Sequence, residues 1–341
     1  MTEDSAPRVR TVTVMRGEDG LRLDKWLKAR FPALGHGPMQ KLLRTGQVRV
    51  DGGRVQGSTR LEAGQEVRLP PALLAEVGAG GSEPPGRRNP RPSASAADLR
   101  ALEGRILHLD DDVLVIDKPA GLAVQGGSGV TRHLDGMLDG LKFGAEERPR
   151  LVHRLDKDTS GVLALARNRA AARWLADGFR RRTFHKLYWA AVAGVPRPAE
   201  GRIVLALDKK PGPGGREAME ADPDDGLPAE TLYRTVDRCG DRAAWLAMEP
   251  VTGRTHQLRA HARALGTPIL GDGKYGGRAA FPEGLDTPRR LHLHARRLLI
   301  RAPSGDVIDV VAPLPAHMSK TWDQLGFAGD AAADAFMSDR F

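Results

Sequence analysis

Hydrophobic residues follow a helical spacing in the first part of the chain, residues 21–70. One amphipathic helix is predicted there by apolar residues three and four positions apart, Leu23, Trp26, Leu27 and Phe31. Pro38 suits the first turn of a second short helix, which would bury Leu42 and Leu43 and end at Gly46. The spacing therefore predicts a pair of short helices.

Short strands are predicted after these helices. Val48 and Val50 alternate with polar residues and lead into Asp51-Gly52-Gly53, which is a hairpin-turn signal. Val67 and Leu69 alternate in the same way and predict another strand. Residues 21–70 should therefore fold as a small unit of helices and strands.

A different pattern starts at Arg105, where predicted strands and helices are mixed. Continuous or alternating apolar runs predict strands at 113–116, 161–166, 187–194 and 291–300. Helical spacing returns at 170–179 and 255–266. Because these elements do not alternate regularly, the fold class is predicted to be α+β rather than a parallel doubly wound sheet. A glycine-rich phosphate loop and a dinucleotide fingerprint are both missing, which argues against those two chemistries.

Composition separates these two parts. Residues 78–103 are rich in Gly, Pro, Ser and Ala without an apolar period, which predicts a flexible linker. The Ala-rich end is expected to fray. The predicted organisation is an N-terminal arm at 1–20, a small unit at 21–77, the linker at 78–103, a large domain at 104–325 and a frayed tail at 326–341.

Charge adds a partner class to this picture. The chain has 341 residues and a formal net charge of +9, and residues 21–70 hold ten Lys and Arg against four Asp and Glu. A basic unit favours a polyanionic partner, either nucleic acid or an anionic membrane surface. The plainer alternative is that an arginine-rich composition reflects a GC-rich genome and keeps the surface solvated.

Other classes of protein are disfavoured. No run of eighteen apolar residues is present, so no transmembrane helix is expected, and the start MTEDSAPRVR does not have the pattern of a secretory signal. Cys239 is the only cysteine, which excludes an intramolecular disulfide and a cysteine-based zinc site. We therefore expect a cytoplasmic protein that does not associate with membranes.

The small unit resembles the RNA-binding module of small-subunit ribosomal protein four and its relatives. The resemblance is carried by the strings RLDKWL, MQKLLRTGQVRVDGGRV and LEAGQEVRLP. It implies a basic face for structured RNA, and five cations could meet phosphates there: Arg22, Lys25, Lys41, Arg44 and Arg49. The alternative is that these side chains only solvate a small domain.

Three strings of the large domain could carry chemistry, although each has an ordinary structural interpretation. In LVHRLDKDTSGVLALARN, a tight turn would hold Asp156 at a sheet edge, or Asp156 and Asp158 would only cap the turn. In the 255–266 helix, Arg259 lies on the polar face, where most arginines are solvated. Tyr188 lies in an apolar strand, where most tyrosines belong to the core.

Taken together, these strings resemble the RluA-type family of RNA pseudouridine synthases. The family has an HRLDxxTSG loop, a KxYxAxVxG strand and a TGRTHQLRxHxxxxGxPIxGDxxYG segment, and this chain matches all three in order. It also matches DKPAGLAV at 117–124. Further strings, AVQGGSG among them, are most similar to the RluC type, which acts on large-subunit (23S) ribosomal RNA. The family resemblance also implies that the sheet of the large domain is mixed and mostly antiparallel, with flanking helices.

The resemblance implies a role for each of four residues. Asp156 matches the catalytic aspartate, which attacks the sugar or the uracil or takes a proton from the ribose. Arg259 would keep this carboxylate ionised. Tyr188 would stack on the uracil and assist proton transfer at C5, and Arg154 would take part when the base leaves its stack. The reaction is an isomerisation, so no cofactor is expected.

Alternatives remain open at this point. The chain could be a catalytically silent RNA-binding or ribosome-assembly protein, or a synthase for another structured RNA such as tRNA. A hydrolase that uses Asp156 with His153 or His256 would need a metal or an activated nucleophile, and neither is visible. His292 and His294 alternate on a strand but lack a third ligand, so no metal site is expected. The favoured hypothesis is a monomeric pseudouridine synthase whose partner is 23S ribosomal RNA or a large-subunit precursor.

Overall fold

A computed structural model of the chain describes residues 9–32, 34–74, 95–126, 130–211, 217–329 and 331–337. The chain divides near residue 90 into two compact units. Each of them has its own hydrophobic core.

The first unit consists of short helices against a four-stranded sheet. Its elements are β1 (Arg10–Thr13), α1 (Leu23–Arg30), α2 (His36–Arg44), β2 (Arg49–Val50), β3 (Gly53–Arg54), β4 (Glu66–Leu69) and α3 (Pro71–Leu74). The strand order is β1-β4-β2-β3, and all pairs are antiparallel. Leu23, Trp26 and Leu27 on α1 pack with Leu43 on α2 in the core, which confirms the helical spacing.

The hairpin between β2 and β3 has the turn that its sequence predicts. Asp51 and Gly52 both have positive φ, 48° and 76°, as the central residues of a type I′ turn require. The predicted arm at 1–20 differs from the structure, because Arg10–Thr13 pairs with β4. Val14 is buried in the same core, so this strand covers an edge of β4 that would otherwise stay unpaired.

The second unit is built on a large sheet. Its strands are β5 (Ile106–Leu109), β6 (Val113–Lys118), β7 (Arg150–Leu151), β8 (Ser160–Ala166), β9 (His185–Ala193), β10 (Glu200–Val204), β11 (Leu207–Pro211), β12 (Glu217–Ala221), β13 (Glu230–Cys239), β14 (Ala243–Pro250), β15 (Leu293–Arg301) and β16 (Val307–Val311). Its helices are α4 (Ala96–Glu103), α5 (Leu134–Met137), α6 (Arg169–Arg181), α7 (Gln257–Ala264) and α8 (Ala316–Leu325).

The sheet is mixed and mostly antiparallel, which confirms the predicted fold class. Its main order is β10-β13-β14-β9-β15-β8-β6-β5, with β16 beside β15 and β7 beside β8. Among the described strands, only β15 and β8 pair in parallel. Strands β11 and β12 form a separate ribbon.

Helices cover both faces of this sheet. On β6, Val113 and Val115 face α6, while Leu114 and Ile116 face α5. The alternation follows from the two-residue period of a strand. Central strands covered on both sides read as nearly continuous apolar runs, which explains the strings found in the sequence.

The structure also differs from the predicted boundaries of the large domain. Residues 96–103, placed in the linker by composition, form α4, which Ser95 caps and which buries Leu102. The remainder of that linker, 78–94, lies outside the described residues. The predicted frayed tail is folded over 331–337, where Met337 is buried and Asp334 pairs with Arg296 at 2.8 Å. Composition missed both segments because their partners are distant in sequence.

Candidate active site

The loop that carries Asp156 connects β7 to β8. The Thr159 N–H donates to the Asp156 carbonyl at 3.2 Å, which closes the turn. Gly161 has a φ of 107°, and a Cβ there would overlap the carbonyl oxygen of Ala295 on β15. A glycine is therefore required where the loop joins the sheet. His153 accepts the Ala164 N–H at 2.8 Å, so it orders the loop as a neutral ring.

A buried lysine lies behind this loop. Lys118, at the end of β6, donates to the carbonyl oxygens of Pro119, Leu122 and Lys157 at 2.9 to 3.1 Å. Burial lowers the pKa of this ammonium to about 8, against the charges of Asp158 and Asp156. Lys118 thus ties the DKPAG segment to the residue that follows Asp156.

Arg259 projects from α7 between two carboxylates. Its Nε and Nη2 donate to both oxygens of Asp272, at 2.8 and 2.7 Å, while Nη1 lies 3.7 Å from Asp156 Oδ2. Although burial opposes the charged form, these carboxylates hold the pKa of Arg259 above its ordinary value. Asp272 therefore fixes the guanidinium so that its remaining edge faces Asp156.

A histidine approaches Asp156 from the start of α7. His256 has a left-handed backbone with a φ of 51°, and its Nε2 lies 3.8 Å from Asp156 Oδ2. The Tyr275 hydroxyl accepts the Met219 N–H at 2.9 Å and lies 2.8 Å from His256 Nδ1. The hydrogen bond between them holds the neutral imidazole with Nε2 toward Asp156. Burial lowers the pKa of His256, which favours this neutral form.

Tyr188 lies on β9, opposite Ala295 of β15 and Met248 of β14. It is partly buried and lines the same cleft as Asp156. Burial raises the pKa of the Tyr188 phenol, and the negative charge of Asp156 adds to the effect. The hydroxyl is therefore protonated at neutral pH.

The cleft joins these side chains in a volume of about 430 Å³. All four residues that the resemblance singled out line it, although Arg154 is exposed and the other three are partly or fully buried. Further cations line the cleft, namely Arg180, Arg182, Lys186 and Arg254. The site thus combines a carboxylate, a fixed guanidinium, a tyrosine and cationic walls, which suits a flipped base on an anionic strand.

The sequence did not single out two residues of this arrangement as parts of a site. Asp272 and Tyr275 belong to GDGKYG, where the glycines predict a turn that Asp272 would hold. The turn is present, since the Tyr275 N–H donates to Asp272 at 3.2 Å, but Asp272 also holds Arg259. Arg259 is 8% exposed rather than solvated, and a buried guanidinium requires an acidic partner, but the sequence pattern did not reveal this burial.

The five cations of the first unit have different surroundings. Arg22 pairs with Asp24 at 2.7 Å, and Arg49 donates to the carbonyl oxygens of Gly46 and Gly52. Three others are exposed on the helices: Lys25, Lys41 and Arg44. Lys41 and Arg44, three residues apart on α2, are neighbours on one face.

Metal binding finds no support in the described part of the chain. His292 and His294 are buried, His292 contacts Thr321 at 2.7 Å, and His294 contacts Ser160 at 2.9 Å. Within the same residues, no group of three His, Cys, Asp or Glu side chains could hold an ion. None of the helices in the described ranges is long and apolar enough to span a membrane.

Comparisons with known proteins agree on one family. The sequence profile of a family described as RNA pseudouridylate synthase matches residues 112–264. Ribosomal large subunit pseudouridine synthase C of Escherichia coli K12 is 34% identical over 325 residues, which cover 94% of this chain and 97% of that protein. The protein of the same name from Salmonella typhi is 34% identical over 326 residues, with the same coverage. Human RNA pseudouridylate synthase domain containing 4 has 28% identity and a TM-score of 0.54, covering 67% of this chain and 95% of the human one.

Proposed function

Because this chain belongs to the RNA pseudouridylate synthase family, we propose that it converts specific uridines of large-subunit ribosomal RNA into pseudouridine. The enzyme is an isomerase. Two relatives that match nearly the whole chain are named for that substrate, which supports the choice of RNA. The observation that carries the proposal is the approach of Arg259 to Asp156 in a cleft that also holds Tyr188.

The reaction exchanges one glycosidic bond for another. The bond from C1′ to N1 of uracil breaks, the base turns, and C1′ joins C5, while the proton on C5 leaves and N1 gains one. Asp156 is the group that starts this exchange, by attack on the sugar or uracil or by removal of a ribose proton. Arg259 keeps the carboxylate ionised and aimed, because Asp272 fixes the guanidinium.

Tyr188 contributes a ring and a hydroxyl. The ring gives the uracil an aromatic surface against the sheet. Since the pKa of the phenol is raised, the hydroxyl can accept the C5 proton only while it passes its own proton on. Asp156 lines the same cleft and is a suitable acceptor once it has left the sugar or uracil, or has returned the ribose proton. Tyr188 is thus a proton relay rather than a free base.

The cations that line the cleft contact the RNA strand around the flipped uridine. Arg154 is exposed at the cleft and can occupy the space that a flipped uridine leaves. Flipping costs a few kcal/mol, and contacts of this kind offset it. Arg182 and Arg254 line the same cleft and can meet phosphates beside the flipped nucleotide. The first unit adds an RNA anchor through its exposed lysines and arginines.

We further propose that the enzyme acts as a cytoplasmic monomer without a cofactor. A single cysteine, Cys239, suits a reducing compartment. Light scattering of the purified protein, with and without RNA, tests the oligomeric state.

The test uses transcribed large-subunit ribosomal RNA with tritium at C5 of uridine. The wild type should release tritium, whereas Asp156→Asn should release less than a thousandth as much and still bind RNA within a few-fold. Asparagine keeps the shape and removes the charge. A wild type that binds the RNA without releasing tritium would instead be a silent binding protein, and release only from labelled tRNA would reassign the substrate.

A further inference from the structure

A second cleft of about 380 Å³ lies beside the one that holds Asp156. Arg259 lines both clefts. The second is formed by the 271–274 turn and the 289–291 segment. Gly271, with a φ of 76°, brings these two together, since a Cβ there would overlap the Arg290 carbonyl oxygen. The two segments are therefore packed backbone to backbone at one side of the cleft.

The exposed charges of this second cleft are mostly positive. The Arg259 guanidinium is engaged by Asp272, so it adds little to the wall. Lys274, Arg289 and Arg290 are exposed, and Asp158 is the remaining carboxylate of the lining. Within the described ranges, no ion pair involves Arg289 or Arg290. Arg289 and Arg290 therefore share the lining with one available carboxylate, and Lys274 is a further cation there.

One of these cations is oriented by an aromatic ring. The guanidinium of Arg289 lies 4.7 Å from the centroid of Phe281. Stacking of this kind uses the flat face of the guanidinium and leaves its N–H edge for an acceptor. Phosphate oxygens match that edge well.

The position of the cleft indicates which anion would reach it. Asp156 lines the first cleft and Asp158 the second, and two residues of chain span no more than about 7 Å. An anion in the second cleft would therefore lie close to the nucleotide in the first. Asp158 also repels a dianion such as free phosphate more than a singly charged phosphodiester.

We propose that this second cleft binds a phosphodiester of the RNA strand next to the target uridine, an inference that rests on the proposed function. Arg290 and Arg289 donate to the phosphate oxygens, and Lys274 adds a point charge. The contact would fix the strand on one side of the flipped nucleotide and so hold the ribose in register with Asp156.

The test compares Arg290→Ala with Arg290→Lys and with a matched control, Arg301→Ala. Arg301 is an exposed arginine at the far end of β15, about 25 Å along the strand from Leu293, which lines the active-site cleft. With tritiated large-subunit RNA, Arg290→Ala should raise KM about tenfold and change kcat less. The slope of log KM against log salt should fall by about 0.7 to 0.9. Arg290→Lys should restore most of the slope, and Arg301→Ala should match the wild type.

The outcomes separate the two proposals. A wild type that releases no tritium from any RNA overturns the proposed function. An active wild type with Arg290→Ala equal to Arg301→Ala in KM and salt slope overturns the subsite alone. Inorganic phosphate tests the other source of this chemistry. Phosphate that lowers kcat of the wild type at saturating RNA, beyond an ionic-strength control and not in Arg290→Ala, would occupy the cleft together with bound RNA, which would assign the cleft to a free anion and overturn the phosphodiester.

Discussion

Tyr188 presents two separable groups to the cleft, an aromatic ring and a hydroxyl. Tyr188→Phe keeps the ring, so RNA affinity should hold within a few-fold. Turnover should fall about a hundred- to ten-thousand-fold if the hydroxyl relays the C5 proton. A loss below about tenfold, within reach of one hydrogen bond, would make Tyr188 only a surface for stacking. Tyr233→Phe is the control, because the Tyr233 hydroxyl donates to the Pro198 carbonyl and does not line the cleft.

Asp272 and Arg259 form a buried pair that should affect stability and turnover differently. Asp272→Asn leaves the guanidinium without its full partner and should cost about 3 kcal/mol of unfolding free energy, as well as lowering kcat. The double variant Asp272→Asn with Arg259→Met removes the buried charge and should recover much of that stability. Turnover should stay low, because no guanidinium then faces Asp156 and only His256 remains beside it. Denaturant unfolding measures the stability and tritium release measures the turnover. If the double variant recovered both stability and turnover, a role for Arg259 in positioning Asp156 would be contradicted.

At the scale of elements, the junction of β8 with β15 holds the loop of Asp156 in place. Gly161→Ala would put a methyl group into the Ala295 carbonyl oxygen and strain a backbone with a φ of 107°. Turnover should fall more than tenfold, with an unfolding cost above about 2 kcal/mol. Gly305→Ala is the matched control, because Gly305 also has a positive φ, 94°, but no atom lies within 4 Å of its added Cβ. If the two variants had equal effects, backbone strain alone would explain the loss, and the contact with Ala295 would not be needed.

Local patterns determined which elements could be predicted. The helical spacing of Leu23, Trp26 and Leu27 and the turn at Asp51-Gly52 depend on neighbours in the chain, and the structure has both. The tail differs from its prediction, because Met337 donates its N–H to Glu249, a partner that composition does not reveal. Such contacts are set by sheet topology rather than by local sequence.

The candidate site shows the same division. Four matched motifs were enough to identify a set of residues that line one cleft in the structure, namely Asp156, Tyr188, Arg259 and Arg154. The motifs did not show that Arg259 is buried or that Asp272 holds it, since helical spacing placed this arginine on a polar face. The polar face of a helix can be buried when a carboxylate of another segment pairs with its arginine, as Asp272 does with Arg259. The sequence therefore identified the residues that would react but missed the partner that orients one of them.

At the scale of the whole molecule, the two compact units suggest a division of work between RNA anchoring and chemistry. Removing residues 1–77 should raise KM at least about tenfold while kcat at saturating RNA stays within a few-fold, because the second unit has its own cores. The salt slope of KM should also flatten by about 0.7 to 0.9 for each phosphate that the first unit binds in the full chain. Tritium release across a salt series measures all three quantities.

A full-length variant shows whether charge alone explains the weaker binding of the truncated protein. Lys25→Gln, Lys41→Gln and Arg44→Gln together neutralise three exposed cations and leave the core of the first unit untouched. In the triple variant, the slope of log KM against log salt should flatten by about 2 to 3 if all three side chains contact phosphates. Arg22→Gln is the matched control, since Arg22 already pairs with Asp24 and should change the slope less. If the truncated protein binds RNA more weakly while the triple variant keeps the wild-type slope, the first unit binds RNA through its shape or another surface, and the exposed faces of α1 and α2 are not the anchor.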